Sequence, residues 1–245
     1  MTKILVSDYD KTFFLNEEDI EKNKKAVEAF RKNGNIFVIA TGRSYLDLKA
    51  KIEQYNIPYD YMIINHGATI IGKDDDILYN FTINDNIIFE LKKDLEIEKN
   101  NIEYLSYKPE KSKNNIYFCC SALESRLDFD SKNITKIAVI YDGNVNVERI
   151  NRLINEKYAD IIAYHVSENM IEIISKNINK SKAIKLLADY YNLNEASVYT
   201  IGDGYSDISM IKDYNGYAMK NSVSELKNVA IKMVDSVSDL INEIN

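Results

Sequence analysis

The sequence predicts an α/β fold in which a doubly wound, mostly parallel sheet is interrupted by an inserted α+β unit. In the first and last thirds of the 245-residue chain, short apolar runs alternate with segments of helical periodicity, as in parallel strands joined by right-handed crossover helices. In the middle third, the spacing of apolar runs and turn residues indicates hairpins beside helices. We therefore predict a core domain from residues 1–81 and 177–245 and an inserted domain from residues 82–176.

The predicted core domain contains strands that are apolar throughout, as expected where helices cover both faces of a sheet. A polar segment after the first strand has helical spacing and stops at Asn33-Gly34, where a glycine can adopt the left-handed conformation that ends a helix. Turn residues divide the apolar groups of residues 70–81, which predicts a small hairpin. The predicted strands are 3–7, 36–40, 61–64, 197–201 and 216–219, and the last two predicted helices are 223–230 and 237–244.

The predicted inserted domain begins with a surface helix over residues 84–101 and a loop over residues 108–115. Its predicted strands are 116–120, 134–141, 161–166 and 170–174, and its second helix is 146–157. The two cysteines of the chain, Cys119 and Cys120, are neighbours. Because a disulfide between neighbours is strained and the pair lacks metal-site spacing, we interpret both as small buried apolar residues.

Composition and charge exclude several classes of function. With 45% hydrophobic and 28% charged residues, the chain resembles an ordinary soluble globular protein. A formal net charge of −7 argues against a nucleic-acid surface, which needs a clustered basic excess, although a bound cation can still attract an anionic substrate. No apolar run approaches the ~20 residues of a membrane span, and the start does not resemble a signal peptide. We expect a cytoplasmic protein, a monomer or weak homo-oligomer, that binds neither nucleic acid nor membrane.

Two carboxylates follow the first strand directly. Asp8 and Asp10 alternate with Thr12 at its carboxyl end, which is the edge of an open α/β sheet where ligands bind. Taken alone, the two aspartates could also end the strand and cap the next turn. Their interpretation therefore depends on the partners that the rest of the chain supplies.

A hydroxyl, a glycine and a helix start follow the second strand in the segment Thr41-Gly42-Arg43-Ser44. Free backbone N–H groups and the helix dipole at such a place favour an anion. Thr41 or Ser44 could also act only as a helix cap, and the two interpretations are compatible.

The last third of the chain adds a cation and two more carboxylates. A lysine from residues 180–182 stands immediately before a core helix. The segment from Gly202 to Asp207 ends a strand, and it spaces Asp203 and Asp207 four residues apart, so that both carboxylates can point to one place at a helix start.

These groups form an inventory for phosphoryl transfer. Four carboxylates at the ends of two strands would repel each other without a cation, and oxygen ligands without histidine or thiol favour Mg²⁺. A metal, a lysine and anion-binding N–H groups supply the positioning and charge neutralisation that the reaction needs. With no serine, cysteine or histidine base beside it, a carboxylate can itself be the nucleophile, and Asp10 could protonate the leaving alkoxide and later activate water.

The four segments resemble the four motifs of the haloacid dehalogenase-like hydrolase superfamily. They are Asp8-x-Asp10-x-Thr12, Ala40-Thr41-Gly42-Arg43, a lysine after an inserted unit, and Gly202-Asp203-x-x-x-Asp207. Their order, the place of the insertion and the segment Gly216-Tyr217-Ala218-Met219 further resemble the Cof-type sugar-phosphatase subfamily. The resemblance covers essentially the whole chain, and it implies a Rossmann-like core sheet with an α+β cap that selects the substrate.

The resemblance also implies a Mg²⁺-dependent phosphatase that acts on small phosphorylated metabolites, such as sugar phosphates, through an aspartyl phosphate. Asp8 would be the nucleophile and a metal ligand, and Asp10 would be the acid/base and offer its main-chain carbonyl to the metal. The other implied roles are phosphate binding by Thr41, Gly42 and Lys180, with Thr41 and Lys180 also counted as catalytic. The implied metal site includes Asp203, with Asp207 behind it, and the supporting residues are Thr12, Arg43 and Ser206.

Several points stay open at the level of sequence. Lys182 is an alternative to Lys180, which we prefer because Lys180-Ser181 aligns best with the Lys-Gly pair of the family. Ser181 replaces that glycine, and Ser206 and His66 stand where the family commonly has asparagine. His66 could contact the substrate or a metal-bound water, or it could be a structural histidine.

Two other functions fit the same motifs. A phosphomutase would hand the phosphoryl group to a second sugar hydroxyl, and a non-catalytic sensor would bind phosphate and Mg²⁺ without turnover. A receiver-like sensor would leave the inserted domain and the position of Asp10 unexplained. In the inserted domain, Arg126, His165 and several tyrosines are candidates for substrate contacts.

Overall fold

The structure, a computed structural model, describes residues 2–96, 102–110, 117–120, 134–141 and 146–245. The chain divides into two compact units, one of Met1–Leu78 with Asn179–Asn245 and one of Tyr79–Ile178. Residues 82–176 fall within the second unit, and the role of these residues as a substrate-selecting cap stays a prediction. In the described part of the chain, none of the helices has the length and apolar character that a membrane span requires.

The regular elements follow one another in a βαβ pattern that the middle of the chain interrupts. The strands are β1 (Ile4–Ser7), β2 (Ile36–Ala40), β3 (Tyr61–Ile64), β4 (Thr69–Gly72), β5 (Ile77–Asn80), β6 (Ile102–Glu110), β7 (Tyr117–Cys120), β8 (Lys136–Tyr141), β9 (Ile161–Ser167), β10 (Met170–Ser175), β11 (Val198–Gly202), β12 (Asn215–Met219) and β13 (Lys232–Val234). The α-helices are α1 (Glu17–Lys32), α2 (Tyr45–Tyr55), α3 (Asp85–Glu96), α4 (Val147–Lys157), α5 (Lys180–Tyr190), α6 (Ile208–Asp213), α7 (Ser224–Lys227) and α8 (Val237–Ile244).

An eight-stranded sheet has the order β13-β12-β11-β1-β2-β3-β4-β5. The pairs from β13 to β3 are parallel, and β4 then pairs antiparallel with β3. Strands β1 and β2 are buried along their whole length, which explains why their sequences are apolar without alternation. The predicted fold class, an α/β protein with a mostly parallel sheet, is confirmed.

The chain winds outward from β1 in both directions. The crossover through α1 leads to β2 on one side, whereas the crossover through α6 leads from β11 to β12 on the other. Because such crossovers are right-handed, helices α1 and α6 lie on opposite faces of the sheet. Strand β1, flanked by β2 and β11, is therefore at the switch point of the topology, where a crevice opens at the carboxyl ends of the strands.

Local signals in the sequence set the ends of α1. The side chain of Asn16 accepts hydrogen bonds from the backbone N–H groups of Glu18 and Asp19, which caps the start of the helix. The helix ends at Lys32, and Gly34 has a φ of +80°, as predicted for the residue that reverses the chain. The buried side chain of Asn23 then ties α1 to α8, since its Oδ1 accepts the N–H of Ser238 at 2.9 Å.

The second unit contains a five-stranded sheet with the order β7-β6-β8-β10-β9, and the strand pairs are antiparallel. Buried side chains from α3, α4, β8, β9 and β10 form one apolar cluster. A buried ion pair, Lys136 with Glu172 at 2.5 Å, lies on neighbouring strands β8 and β10 of this sheet. The side chains of Cys119 and Cys120, and the whole of Arg126, lie outside the described residues, whereas His165 is an exposed residue of β9.

Two predictions of secondary structure were wrong, one for a loop and one for the length of a helix. Residues 108–110 were predicted to be a loop, but they belong to β6. Among the described residues, β6 beyond Tyr107 pairs with β7 alone, and an edge of this kind is where a proline, which lacks an N–H, is compatible with a strand. The helix predicted over residues 223–230 is shortened to α7 (Ser224–Lys227), because the chain next forms β13 beside β12.

Candidate active site

The candidate site lies in the first unit, where segments after β1, β2 and β11 meet the start of α5. Asp8 directly follows β1, and its backbone N–H donates to Ile201 O of β11 at 2.9 Å. Asp8, Asp203 and Asp207 each offer a carboxylate oxygen, and these three oxygens lie within 4.8 Å of one another. The structure thus brings together side chains that are about two hundred positions apart in the sequence.

Lys180 connects two of these carboxylates. Its Nζ donates to Asp8 Oδ1 at 2.7 Å and to Asp207 Oδ1 at 2.6 Å, and the side chain is only 1% exposed. Burial disfavours the charged ammonium, but attraction by Asp207 and Asp8 outweighs burial and raises the pKa of Lys180. Lys182 is exposed, and its backbone N–H donates to the helix-capping side chain of Asn179.

The carboxylate of Asp8 is buried in a site whose charges are not balanced. Burial raises the pKa of Asp8 well above its usual range, against the attraction of Lys180, and repulsion by Asp207 and Asp203 adds to the rise. Burial likewise raises the pKa of Asp203, although a hydrogen bond from Thr12 opposes the rise. Both shifts have the sign that burial and neighbouring negative charges produce.

Asp203 and Asp207 are held differently after β11. Asp203 Oδ1 accepts the hydroxyl of Thr12 at 2.9 Å. Asp207 Oδ1 accepts from Lys180, and Asp207 Oδ2 accepts the backbone N–H groups of Asp203 and Gly204 at 3.1 and 3.0 Å. A Cβ at Gly202 would lie 2.6 Å from the Asp207 carboxyl carbon, so this close arrangement requires glycine there. Asp207 therefore braces the turn, whereas Asp203 keeps an oxygen for a ligand.

Thr41 and Gly42 occupy the end of β2, beside the turn that follows β3. The backbone N–H of Thr41 donates to Ile63 O at 2.8 Å, and Thr41 O accepts the N–H of His66 at 3.0 Å. A Cβ at Gly42 would lie 2.6 Å from His66 Nε2. The imidazole of His66 thus lies directly against Gly42, which shows that His66 packs beside the predicted phosphate-binding segment.

The turn Asn65–Gly67 takes a backbone conformation that is unusual for its residues. The φ angles of Asn65, His66 and Gly67 are +51°, +57° and +109°. Left-handed conformations of residues other than glycine cost free energy, and they persist where surrounding contacts fix them. A Cβ at Gly67 would lie 2.8 Å from the backbone nitrogen of Lys180, so this turn also sets how closely α5 approaches the sheet.

Asp10 and Arg43 form a bidentate pair. Arg43 Nε donates to Asp10 Oδ2 at 2.8 Å, and Arg43 Nη2 donates to Asp10 Oδ1 at 2.7 Å. The carboxylate of Asp10 does not belong to the three-carboxylate cluster among the described residues. The role of its main-chain carbonyl as a metal ligand stays a prediction. Ser206 lies in the short turn Tyr205–Asp207 between the two aspartates of the last motif.

The donor set fits a hard divalent cation. Three clustered carboxylates and one lysine leave two negative charges unbalanced when all four groups are ionised. A divalent ion would balance these charges, and oxygen-only donors suit Mg²⁺ better than zinc or copper. Asp8 and Asp203 would hold such an ion more readily than Asp207, which already accepts one hydrogen bond from Lys180 and two from backbone N–H groups.

Three contacts at this site were not predicted from the sequence. They are the ring of His66 against Gly42, the bidentate pair of Arg43 with Asp10, and the stacking of Arg43 over Tyr9 at 5.5 Å. A glycine such as Gly42 beside a predicted ligand site indicates that another group approaches closely, but the sequence does not identify His66 as that group. The other two contacts depend on side-chain direction, which periodicity does not encode.

A doubly wound α/β sheet with three clustered carboxylates at its switch point defines the class of protein: an α/β fold with a candidate cation site where such folds bind ligands. The chain belongs to the haloacid dehalogenase-like hydrolase family, whose sequence model matches residues 5–240. The predicted membership of this superfamily is thereby confirmed, and with it the prediction that the chain is a hydrolase.

Individual proteins resemble the chain over nearly its whole length. The 5-amino-6-(5-phospho-D-ribitylamino)uracil phosphatase YwtE of Bacillus subtilis is 25% identical over 269 residues, which cover 92% of this chain and 90% of YwtE. A haloacid dehalogenase-like hydrolase from Bacteroides thetaiotaomicron has a TM-score of 0.79 at 19% identity, with both chains fully covered. The phosphatase BT1666 from the same organism has a TM-score of 0.74 at 22% identity and covers 100% of this chain and 94% of its own. These structures share the fold.

We predict that Lys180→Met lowers the free energy of unfolding by about 3–5 kcal/mol, because it leaves two buried carboxylates without their cation. Mg²⁺ should restore more stability to this variant than to the wild type, since the ion replaces part of the lost charge. Urea unfolding with and without Mg²⁺ measures both effects. Lys185→Met, which removes an exposed pair with Asp189 on the same helix, is the control and should change little. Equal effects of the two substitutions would contradict the prediction.

We predict that Gly42→Ala destabilises the protein by about 1–3 kcal/mol, because its Cβ collides with the ring of His66. In a His66→Ala background the ring is absent, so the same substitution should cost at least about 1 kcal/mol less. A double-mutant cycle by urea unfolding measures the difference. Gly72→Ala is a suitable control, since the nearest atoms to its Cβ lie at 3.7 Å. A cost that is independent of His66 would show that the contact does not exist in solution.

Proposed function

We propose that the protein is a Mg²⁺-dependent phosphatase that hydrolyses small phosphate monoesters, with sugar phosphates as expected substrates, through a phosphoryl group carried on Asp8. The observation that carries the proposal is the position of Asp8. Its carboxylate is buried at the switch point of the sheet, it accepts from Lys180, and it shares a cluster with Asp203 and Asp207. No serine or cysteine has to be invoked as nucleophile.

Relatives support the general chemistry. YwtE is named as a phosphatase of a phosphorylated ribitylamino-uracil, and BT1666 is described as a phosphatase. Family membership supports the hydrolytic class. The identity of the substrate and the metal are our proposals for this chain, and they rest on the donor set described above.

The chain can supply each part of the first chemical step. Asp8 would attack phosphorus, a new bond would form between its carboxylate oxygen and phosphorus, and the bond from phosphorus to the substrate oxygen would break. Thr41 and the backbone N–H of Gly42 would hold the phosphoryl oxygens. Asp10 would protonate the departing alkoxide. Mg²⁺, when bound, would neutralise charge on the phosphoryl group and on the carboxylates that approach it.

Lys180 has two tasks in this proposal. It holds Asp8 in place through Oδ1, which leaves Oδ2 to attack, and it holds Asp207 against the turn after β11. Since the ammonium is buried, its charge acts in a medium of low polarity and is only weakly screened. The inserted domain, residues 82–176, is proposed to select the substrate, as the resemblance to the Cof-type subfamily implies.

We predict that the wild-type protein hydrolyses an aryl phosphate in the presence of Mg²⁺ and that chelation of the metal abolishes the activity. Asp8→Asn should reduce kcat at least about 1,000-fold, because it removes the nucleophile. Asp235→Asn changes an exposed carboxylate bonded to Lys220 and is the control. A colorimetric assay, followed by a panel of sugar phosphates and release of inorganic phosphate, measures these effects. Full turnover by Asp8→Asn would contradict the proposal, and transfer of phosphate to a second sugar would indicate a mutase.

A further inference from the structure

The guanidinium of Arg43 is fixed between two groups of the first motif. It bonds both oxygens of Asp10, at 2.8 and 2.7 Å, and its central carbon lies 5.5 Å from the centre of the Tyr9 ring. The planar fork of arginine matches a carboxylate and also stacks on aromatic rings. Arg43 therefore holds the Asp10 carboxylate in one orientation relative to the loop that carries Asp8.

The ring of Tyr9, and not its hydroxyl, makes this contact. Tyr9 is 1% exposed, and its ring stacks on Phe14 with centroids 6.1 Å apart and an interplanar angle of 12°. In the described part of the chain, the Tyr9 hydroxyl has no hydrogen-bond partner. The residue between the two aspartates thus serves as an apolar platform for the arginine.

We propose that Arg43, seated on Tyr9, is the positioning residue that orients Asp10 as the base in the hydrolysis of the aspartyl phosphate. The inference rests on the proposed function and assigns a task that the function alone does not require. In this step, a water oxygen bonds to phosphorus, the bond between phosphorus and the Asp8 oxygen breaks, and one proton of the water passes to Asp10. Inorganic phosphate leaves, and Asp10 holds the proton that it gives to the next leaving alkoxide.

The geometry leaves the Asp10 carboxylate able to bind the attacking water. Each carboxylate has about four lone-pair sites, so two bonds from Arg43 leave acceptor capacity on both oxygens. The side chain of Asp10 is 47% exposed, so a water molecule can reach it. Arg43 sets the direction in which these remaining lone pairs point.

A second pair in the same unit offers a matched control. Arg31 Nε and Nη2 donate to the two oxygens of Asp60 at 2.8 and 2.7 Å, which are the same distances as in the pair of Arg43 with Asp10. Asp60 precedes β3 and accepts the N–H of Phe37 near the start of β2. This pair therefore lies at the amino ends of parallel strands, away from the candidate site. The substitution Arg31→Met therefore removes an equivalent pair of hydrogen bonds and leaves the bonds between Arg43 and Asp10 in place.

The test separates the two chemical steps by rapid mixing with p-nitrophenyl phosphate, whose leaving group departs without an acid. We expect Arg43→Met to keep the rate constant of the initial burst within about 3-fold and to lower the steady-state rate about 100-fold, the size of a lost general base. Phosphorylated protein should accumulate and be visible by intact mass. Arg31→Met should keep both rate constants. Equal losses in both steps, unchanged rates in Arg43→Met, or the same loss of the steady-state rate in Arg31→Met would overturn the inference.

A second pair of variants decides the case if Arg43→Met does not fold. Tyr9→Leu removes the aromatic ring, whereas Tyr9→Phe keeps the ring and loses only a hydroxyl that has no hydrogen-bond partner among the described residues. We expect Tyr9→Leu to slow the steady state more than Tyr9→Phe, with a retained burst in both. A Phe variant as slow as the Leu variant would overturn the inference. Absence of turnover in the wild type would instead overturn the proposed function.

Discussion

One buried ammonium group holds the candidate site together. Lys180 bonds Asp8 and Asp207 at 2.7 and 2.6 Å, and so joins the start of α5 to the loops after β1 and β11. Burial of an ion pair costs free energy unless the remaining polar atoms are satisfied. Here the second oxygen of Asp207 accepts two backbone N–H groups. The charge left over at Asp8 and Asp203 would attract a cation, so the hydrogen bonds that stabilise the site and the metal binding that we propose have the same origin.

Close backbone approach at glycines completes the geometry that this lysine requires. Gly202 leaves room for the Asp207 carboxylate, Gly67 leaves room for the backbone at Lys180, and Gly42 leaves room for the ring of His66. At none of these positions does a Cβ fit without movement of the neighbour. Three loops are thereby brought into contact at the carboxyl edge of the sheet, which is where open α/β sheets bind ligands. The side chains of the candidate site can lie close together because these three glycines allow close approach of the loops that carry them.

Much of the fold could be predicted because its signals are local. The apolar runs of β1 and β2 and the capping residues of α1 act within a few positions of the chain. Residues 108–110 were mispredicted because a proline usually argues against a strand, and the pairing of this stretch with β7 leaves no local signal in the sequence. The clustering of Asp8, Asp203 and Asp207 was predictable from strand ends, since the topology brings those ends together. The pair of Arg43 with Asp10 spans 33 positions, and the contact of His66 with Gly42 depends on a left-handed turn, so neither leaves a periodic signal.

Capture of the phosphoryl group by Asp8 can be measured directly. Acid quenching during turnover preserves an acyl phosphate, and borohydride then reduces it to an alcohol, which converts a phosphorylated aspartate to homoserine. Peptide mass spectrometry locates the change. Homoserine at position 8, formed only when substrate and Mg²⁺ are both present, is the expected result. Substrate-dependent homoserine at position 10, 203 or 207, or at none of them in a protein that turns over, would contradict the assignment of Asp8 as the nucleophile.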